Sequence, residues 1–214
     1  MTRGWNREQF MDAAMEARGV YDDAGTAVID GRDSFETPWV DVAWWVYDST
    51  LRACRSNAIE GLIAGGLRSG RPGEPGGAGI DDILRENLKT IDERIPGVDQ
   101  GAILHTRNWS ILVNDSWLLG GVHSRAPFYL ASERRQDNLY LAPKLKVFGR
   151  ELANLRSFGY QIVMGAQEVT GEAAVLPDTT DPKADFVRCQ SNATEYQTGE
   201  NWRVLEGRIG QPWD

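Results

Sequence analysis

The chain has 214 residues, 41% of them hydrophobic and 25% charged, with a formal net charge of −8. That is enough apolar material for a sizeable core and close to the size of one or two domains. An acidic whole speaks against general nucleic-acid binding, so nucleic acid is not an expected partner.

The longest apolar cluster, residues 39–47, contains Asp41 and falls far short of the ~20 residues that a membrane span needs. The N-terminus shows no basic segment leading into an apolar run, and a cytoplasmic protein is expected. Cys54 and Cys189 form no CxxC or zinc-type spacing and read as two reduced, buried thiols. Nineteen arginines to four lysines, with abundant Ala and Gly, point to a bacterial, high-GC source.

At the front of the chain, Asn6 followed by Gln9 has the form of an N-cap with its reciprocal partner. Phe10, Met11, Ala14 and Met15 continue as a helical stripe to Gly19. Residues 20–36 are rich in Asp and Gly and read as connecting structure. Thr37-Pro38 then opens a second helix, with Thr as N-cap and Pro at the first helical position. Val40, Trp44, Tyr47, Leu51, Cys54 and Ala58 form its buried stripe, widened by Trp39, Val42, Trp45 and Val46. Asp48 lies four residues before Arg52, the spacing of a surface ion pair. Residues 65–79 hold seven glycines and two prolines and read as a flexible loop. Ile80, Ile83, Leu84, Leu88, Ile91 and Ile95 make a third amphipathic helix, stopped by Pro96-Gly97.

Within residues 101–131 apolar residues alternate with others through Ile103 to Val122, interrupted by Arg107-Asn108 and Asp115-Ser116. The pattern predicts a meander of three short antiparallel strands. His105, Ser110, Gly121 and His123 then share one face of the sheet, because a period of two keeps them on one side. The two histidines would stand about 11 to 12 Å apart, too far to share a zinc ion. They could line one cleft, with Gly120 and Gly121 letting a ligand approach the backbone. The competing reading makes His105 a hydrogen-bonded sheet histidine and His123 a loop residue without a task.

Further strands are predicted at 127–131, 160–164, 173–176, 185–190 and 202–209, and a short helix at 150–158. The expected fold is therefore a single α+β domain over 1–214, with helices in the front, 1–96, packed on a mainly antiparallel sheet in the back, 101–214.

Charge is uneven. Residues 1–100 hold 11 basic and 18 acidic side chains, and 101–214 hold 12 and 13. Within 125–156 the balance reverses: Arg125, Arg134, Arg135, Lys144, Lys146, Arg150 and Arg156 face Glu133, Asp137 and Glu151. Such an excess attracts a phosphate, a nucleotide or an acidic partner.

The motifs of nucleophilic catalysis are missing. There is no GxSxG elbow, and neither cysteine has a histidine nearby in sequence to act as its base. The order His105, Tyr129, Glu172 resembles the His, Tyr, Glu order of some ADP-ribosyltransferases. That resemblance covers residues 101–178 and implies that His105 binds the ribose of NAD, Tyr129 packs on nicotinamide and Glu172 polarises the ribose, with Arg125 available for phosphate. The chain departs from the pattern in lacking a Glu-x-Glu pair, having Gln167-Glu168 and Glu172 instead. By themselves the residues name no cofactor.

Two expectations follow. The first is an effector- or toxin-like enzyme acting on a nucleotide or other phosphate-bearing substrate, with His105, His123, Tyr129 and Glu172 as catalytic residues and Arg125, Ser110 and Gly121 as ligand contacts. The second is a non-catalytic acidic interaction protein of the immunity or adaptor type, using its aromatic helix or acidic front to bind a protein partner.

Overall fold

The computed structural model describes residues 4–29, 31–56, 59, 61–65, 110–162, 174–177, 184–197 and 201–206. These residues form a mixture of helix and strand. The predicted third helix, nearly all of the Gly/Pro-rich stretch, His105 and Glu172 lie outside them.

Helix α1 spans Arg7–Asp23 and begins as its sequence predicts. The Asn6 side chain accepts from the Gln9 amide at 2.9 Å, and the Gln9 side chain accepts from the Asn6 amide at 3.0 Å. It runs a turn beyond Gly19 because Tyr21 continues the stripe of Phe10, Ala14 and Ala17 and is fully buried. A two-stranded ribbon follows, β1 (Val28–Ile29) against β2 (Arg32–Asp33).

Helix α2 spans Trp39–Arg55. Pro38 occupies the cap position and Thr37 lies outside the helix, so the expected threonine cap is not made. Asp41 stands in the first turn, where a carboxylate suits the helix dipole, and pairs with Arg7 at 2.6 Å. The Asp48–Arg52 pair forms at 2.7 Å. Val40, Tyr47 and Leu51 are buried, as are Val42, Trp45 and Val46. Trp44 is half-buried against Phe10, with ring centroids 5.4 Å apart.

From Ser110 onward the predicted meander is corrected by the structure; its first strand lies outside the described residues. Residues Ile111–Ser124 form one helix, α3, with Ser110 as its N-cap accepting from the Val113 amide at 3.1 Å. Every residue from Leu112 to Val122 is buried. A helix surrounded on all sides has no polar face to announce its period, and its run of apolar residues imitates strand alternation. Asp115-Ser116, read as a turn, lies in the middle of the helix.

Strand β3 (Leu62–Ala64) pairs in parallel with β4 (Phe128–Leu130), Leu62 opposite Phe128. Strands β7 (Tyr160–Ile162) and β8 (Ala174–Pro177) complete a four-stranded sheet in the order β3-β4-β8-β7, with antiparallel pairing from β4 onward. Between β4 and β7 lie α4 (Gln136–Leu139), a hairpin of β5 (Tyr140–Leu141) and β6 (Lys144–Leu145), and helix α5 (Val147–Ser157). The strand predicted at 185–190 is helical instead, α6 spanning Phe186–Glu195 and capped by Asp185, and of the strand predicted at 202–209 the described part forms α7, Arg203–Glu206. The Asp185 cap outweighs the strand propensity of the Phe-Val pair that follows it.

The described elements share one hydrophobic core. Gly120 and Gly121 bring α3 close to its neighbours. A Cβ on Gly120 would stand 2.8 Å from the Tyr47 carbonyl oxygen of α2, and one on Gly121 would stand 2.3 Å from Leu62 Cδ1 and 2.6 Å from Phe128 Cζ of the sheet. Gly19, by contrast, faces open space. In urea titrations Gly120→Ala is expected to destabilise by about 1–3 kcal/mol through overpacking, whereas Gly19→Ala, relieved of glycine's entropy cost, is expected to stabilise by about 0.5–1 kcal/mol.

Candidate functional site

The interior contains a chain of polar groups that joins four helices. Asp115, in the middle of α3, is fully buried. Arg150 of α5 meets it with two parallel bonds, Nε to Oδ1 at 2.9 Å and Nη2 to Oδ2 at 2.5 Å. Tyr21 of α1 donates its hydroxyl to the same carboxylate. Gln190 of α6 accepts from Arg150 Nη2 at 2.8 Å. Burial, then the charge of Asp115, raise the Tyr21 phenol well above its ordinary range, so it stays a donor. Burial does the same to the Cys189 thiol, and pushes Cys54 up to about 11. Both thiols are therefore protonated at neutral pH and neither is an activated nucleophile.

Arg150, though buried, also borders a small cleft. Its Nε and Nη2 are committed to Asp115 and Gln190, while Nη1 has no partner among the described residues. Arg150 lines a cleft of about 250 Å³ together with Gly25, Thr26, Ile111, Lys144, Leu145, Ala193 and Gln197. Lys144 is exposed on the rim, and among the described residues its ammonium is unpaired. Ile111 is the first residue of α3, so the positive end of that helix dipole also faces the cleft. A guanidinium fixed from behind, a free ammonium and a helix N-terminus around one small cleft suit an anion.

Apart from Arg125, the rest of the basic stretch is buried or engaged. Arg134 is buried, Arg135 pairs with Glu133 at 2.9 Å, Lys146 donates to the Asp137 carbonyl, and Arg156 donates to the Tyr196 hydroxyl.

His123 lies in the last turn of α3 and is buried. The Trp5 amide donates to the Tyr47 hydroxyl at 2.8 Å, and that hydroxyl meets His123 Nδ1 at 2.7 Å. His123 Nε2 meets the Ala184 carbonyl at 3.0 Å and must be the protonated nitrogen, since a carbonyl only accepts. The Tyr47 hydroxyl therefore donates to Nδ1. Burial lowers the histidine's pKa below its ordinary 6.5. His123 is a neutral strut joining the N-terminal segment, α2, α3 and the approach to α6.

The other predicted site residues are dispersed. Ser110 caps α3. Gly121 is pressed against the sheet and has no room for a ligand. Tyr129 sits half-buried on β4, its ring edge above Gly61. Arg125 is the exposed C-cap of α3 in the left-handed conformation, φ 61°. The sheet face expected to gather Ser110, Gly121 and His123 does not exist, because all three belong to one helix or its cap.

The carboxyl end of the β3–β4 pair holds a second buried acid. Glu151 of α5 accepts from the Gly65 amide at 2.9 Å, and burial pushes its pKa up to about 7 from 4.5. Sequence reasoning missed both Asp115 and Glu151. The available signal was Asp115 between two apolar triplets, residues 111–113 and 117–119, where burial of the flanks would bury the charge as well and require a partner for it.

Among the described residues no helix is long and apolar enough to cross a membrane, and no three His, Cys, Asp or Glu side chains cluster as metal ligands do. No protein-family model matches the chain, and neither does any curated protein or solved structure.

Two stability measurements test this reading. Asp115→Asn leaves the buried Arg150 charge uncompensated and is expected to cost about 3–5 kcal/mol, read by urea unfolding. His123 has a folded-state pKa below its unfolded value of 6.5, so its contribution is complete above pH 6.5 and is lost as pH falls below it. The stability advantage of the wild type over His123→Gln should therefore shrink between pH 7.5 and 5.5; an advantage that is constant or grows would contradict a buried neutral imidazole.

Proposed function

We propose that the chain is a single α+β domain that binds a small phosphate-bearing molecule, with the cleft beside Arg150 as its binding site. The observation that carries this reading is Arg150 itself. Two of its nitrogens are anchored on Asp115 and Gln190, and the third is left beside a cleft rimmed by Lys144. Pre-organisation of this kind cuts the entropy cost of gripping an anion. The cleft's size favours the phosphate group and a small attached moiety over an extended nucleotide.

Action on that ligand, as an effector-type enzyme, is the extension of this reading. The described residues lining the cleft include neither a histidine nor a carboxylate, so their contribution is binding and orientation of the anion.

A second reading, as an interaction protein, draws on Met15. It is 49% exposed on the outer face of α1, among the exposed acids Glu8, Asp12 and Glu16. The aromatic helix α2 offers less to a partner, since Trp45 is buried and Trp44 is packed against Phe10.

Thermal-shift titration against inorganic phosphate, sugar phosphates, nucleoside monophosphates and NAD separates the two. A ligand at one hundred times its Kd adds about 2.7 kcal/mol, which is a rise of roughly 5–11 °C for a chain of this length. Lys144→Glu should abolish the shift and leave the melting temperature of the free protein nearly unchanged. A shift that survives Lys144→Glu puts the ligand elsewhere. No shift with any compound favours the interaction reading.

A further inference from the structure

We propose that Glu151 is a proton-operated latch on the end of strand β3: its carboxylate holds the Gly65 amide, and uptake of one proton weakens that hold. The inference is independent of the anion cleft and concerns the opposite use of α5, whose Arg150 turns to Asp115 while the next residue turns to the sheet.

The geometry at Gly65 is specific. Gly65 follows the last residue of β3, and its φ of +78° lies in the left-handed region. A Cβ there would stand 2.8 Å from Cδ2 of the Phe148 ring, so the position needs glycine for both its conformation and its contact. The Gly65 amide donates to Glu151 Oε2 at 2.9 Å, and its carbonyl accepts from the Ser132 hydroxyl at 2.9 Å. One residue earlier, the Ala64 carbonyl accepts from the Ala131 amide at 2.8 Å, which is where the parallel β3–β4 pairing ends. The latch therefore acts at the point where two strands leave the sheet.

The surroundings make its charge costly. Glu151 is 5% exposed. From α3, Asp115 opposes a second negative charge, while the Asn114 side chain favours the carboxylate. On α5 itself the adjacent Arg150 commits its fork to Asp115. From β3 come only Leu62, Ile63 and Ala64. Desolvation is the largest influence and sets the carboxyl at about 7, so the proton is exchanged around neutrality. An amide-to-carboxylate bond is charge-assisted and roughly twice as strong as its neutral counterpart, so protonation weakens the Gly65 contact without requiring any other group to move. The sign for stability is opposite to that of His123. Glu151 binds its proton more tightly folded than unfolded, so its contribution is complete below pH 4.5 and is lost as pH rises from there through about 7.

The test is an NMR titration of the ligand-free full chain from about pH 4 to 9, following the Gly65 amide and the Glu151 side-chain carboxyl carbon. The expected result is one shared midpoint near 7 at both nuclei, with the Gly65 titration absent in Glu151→Gln. A flat Gly65 amide, or a Gly65 titration that persists in Glu151→Gln, overturns the proposal. If Glu151→Gln does not fold, the wild-type carboxyl carbon decides: a midpoint near the ordinary 4.5 overturns the latch, and one near 7 that coincides with Gly65 supports it.

Discussion

A carboxylate with no access to water has to be balanced by the protein, and the Asp115 carboxylate is balanced by two other helices. Arg150 grips both of its oxygens and Tyr21 donates to one, while Gln190 takes up the far side of the guanidinium. Each partner comes from a different helix, so the pair can be satisfied only when α1, α3, α5 and α6 are all in place. The Coulombic gain of such a pair roughly offsets its desolvation. What it adds is discrimination, since any arrangement that misplaces one of the helices leaves a bare charge in the core.

The packing around α3 has the same character. Gly120 lets the α2 backbone approach on one side and Gly121 lets the sheet approach on the other. Polar residues in the centre and glycines near the end make this helix the axis of the described core. Its two termini then carry different tasks. The N-terminus, capped by Ser110, begins beside the cleft that Arg150 also lines, and the C-terminal turn supplies His123 to the strut with Tyr47 and Ala184. On α5, adjacent residues face different problems: Arg150 meets a fixed acid, and Glu151 is itself an acid that burial keeps close to its titration point.

The candidate site was only partly legible. The sequence offered a basic stretch, and Arg150 and Lys144 do belong to the cleft, but nothing in their neighbourhood distinguished them from Arg134, Arg135, Lys146 or Arg156, which the fold buries or pairs. His123 attracted notice because histidine is rare in this chain. Its task is structural: each ring nitrogen has an internal partner, which a sheet-based reading could not foresee. Lys144 became distinctive only when its neighbours had been paired off.

What the sequence determined by itself was local. The Asn6–Gln9 capping box, the stripe of α2, the Asp48–Arg52 pair, the strands at β4, β7 and β8 and the helix near α5 are all written in spacings of one to four residues, where a side chain meets its own backbone or the next turn. What only the tertiary structure decided was whatever depended on surroundings. Residues 111–124 carry no polar face, so their period is unreadable until α2, the sheet and α5 enclose them. Residues 186–195 follow an aspartate that caps a helix as readily as it breaks a strand. Glu151 and His123 take their protonation from burial, and Asp115, Glu151 and His123 all take their roles from partners 35 to 94 residues away for Asp115, 86 for Glu151 and 61 to 76 for His123. Desolvation is a property of the assembled interior, and no window of sequence contains it.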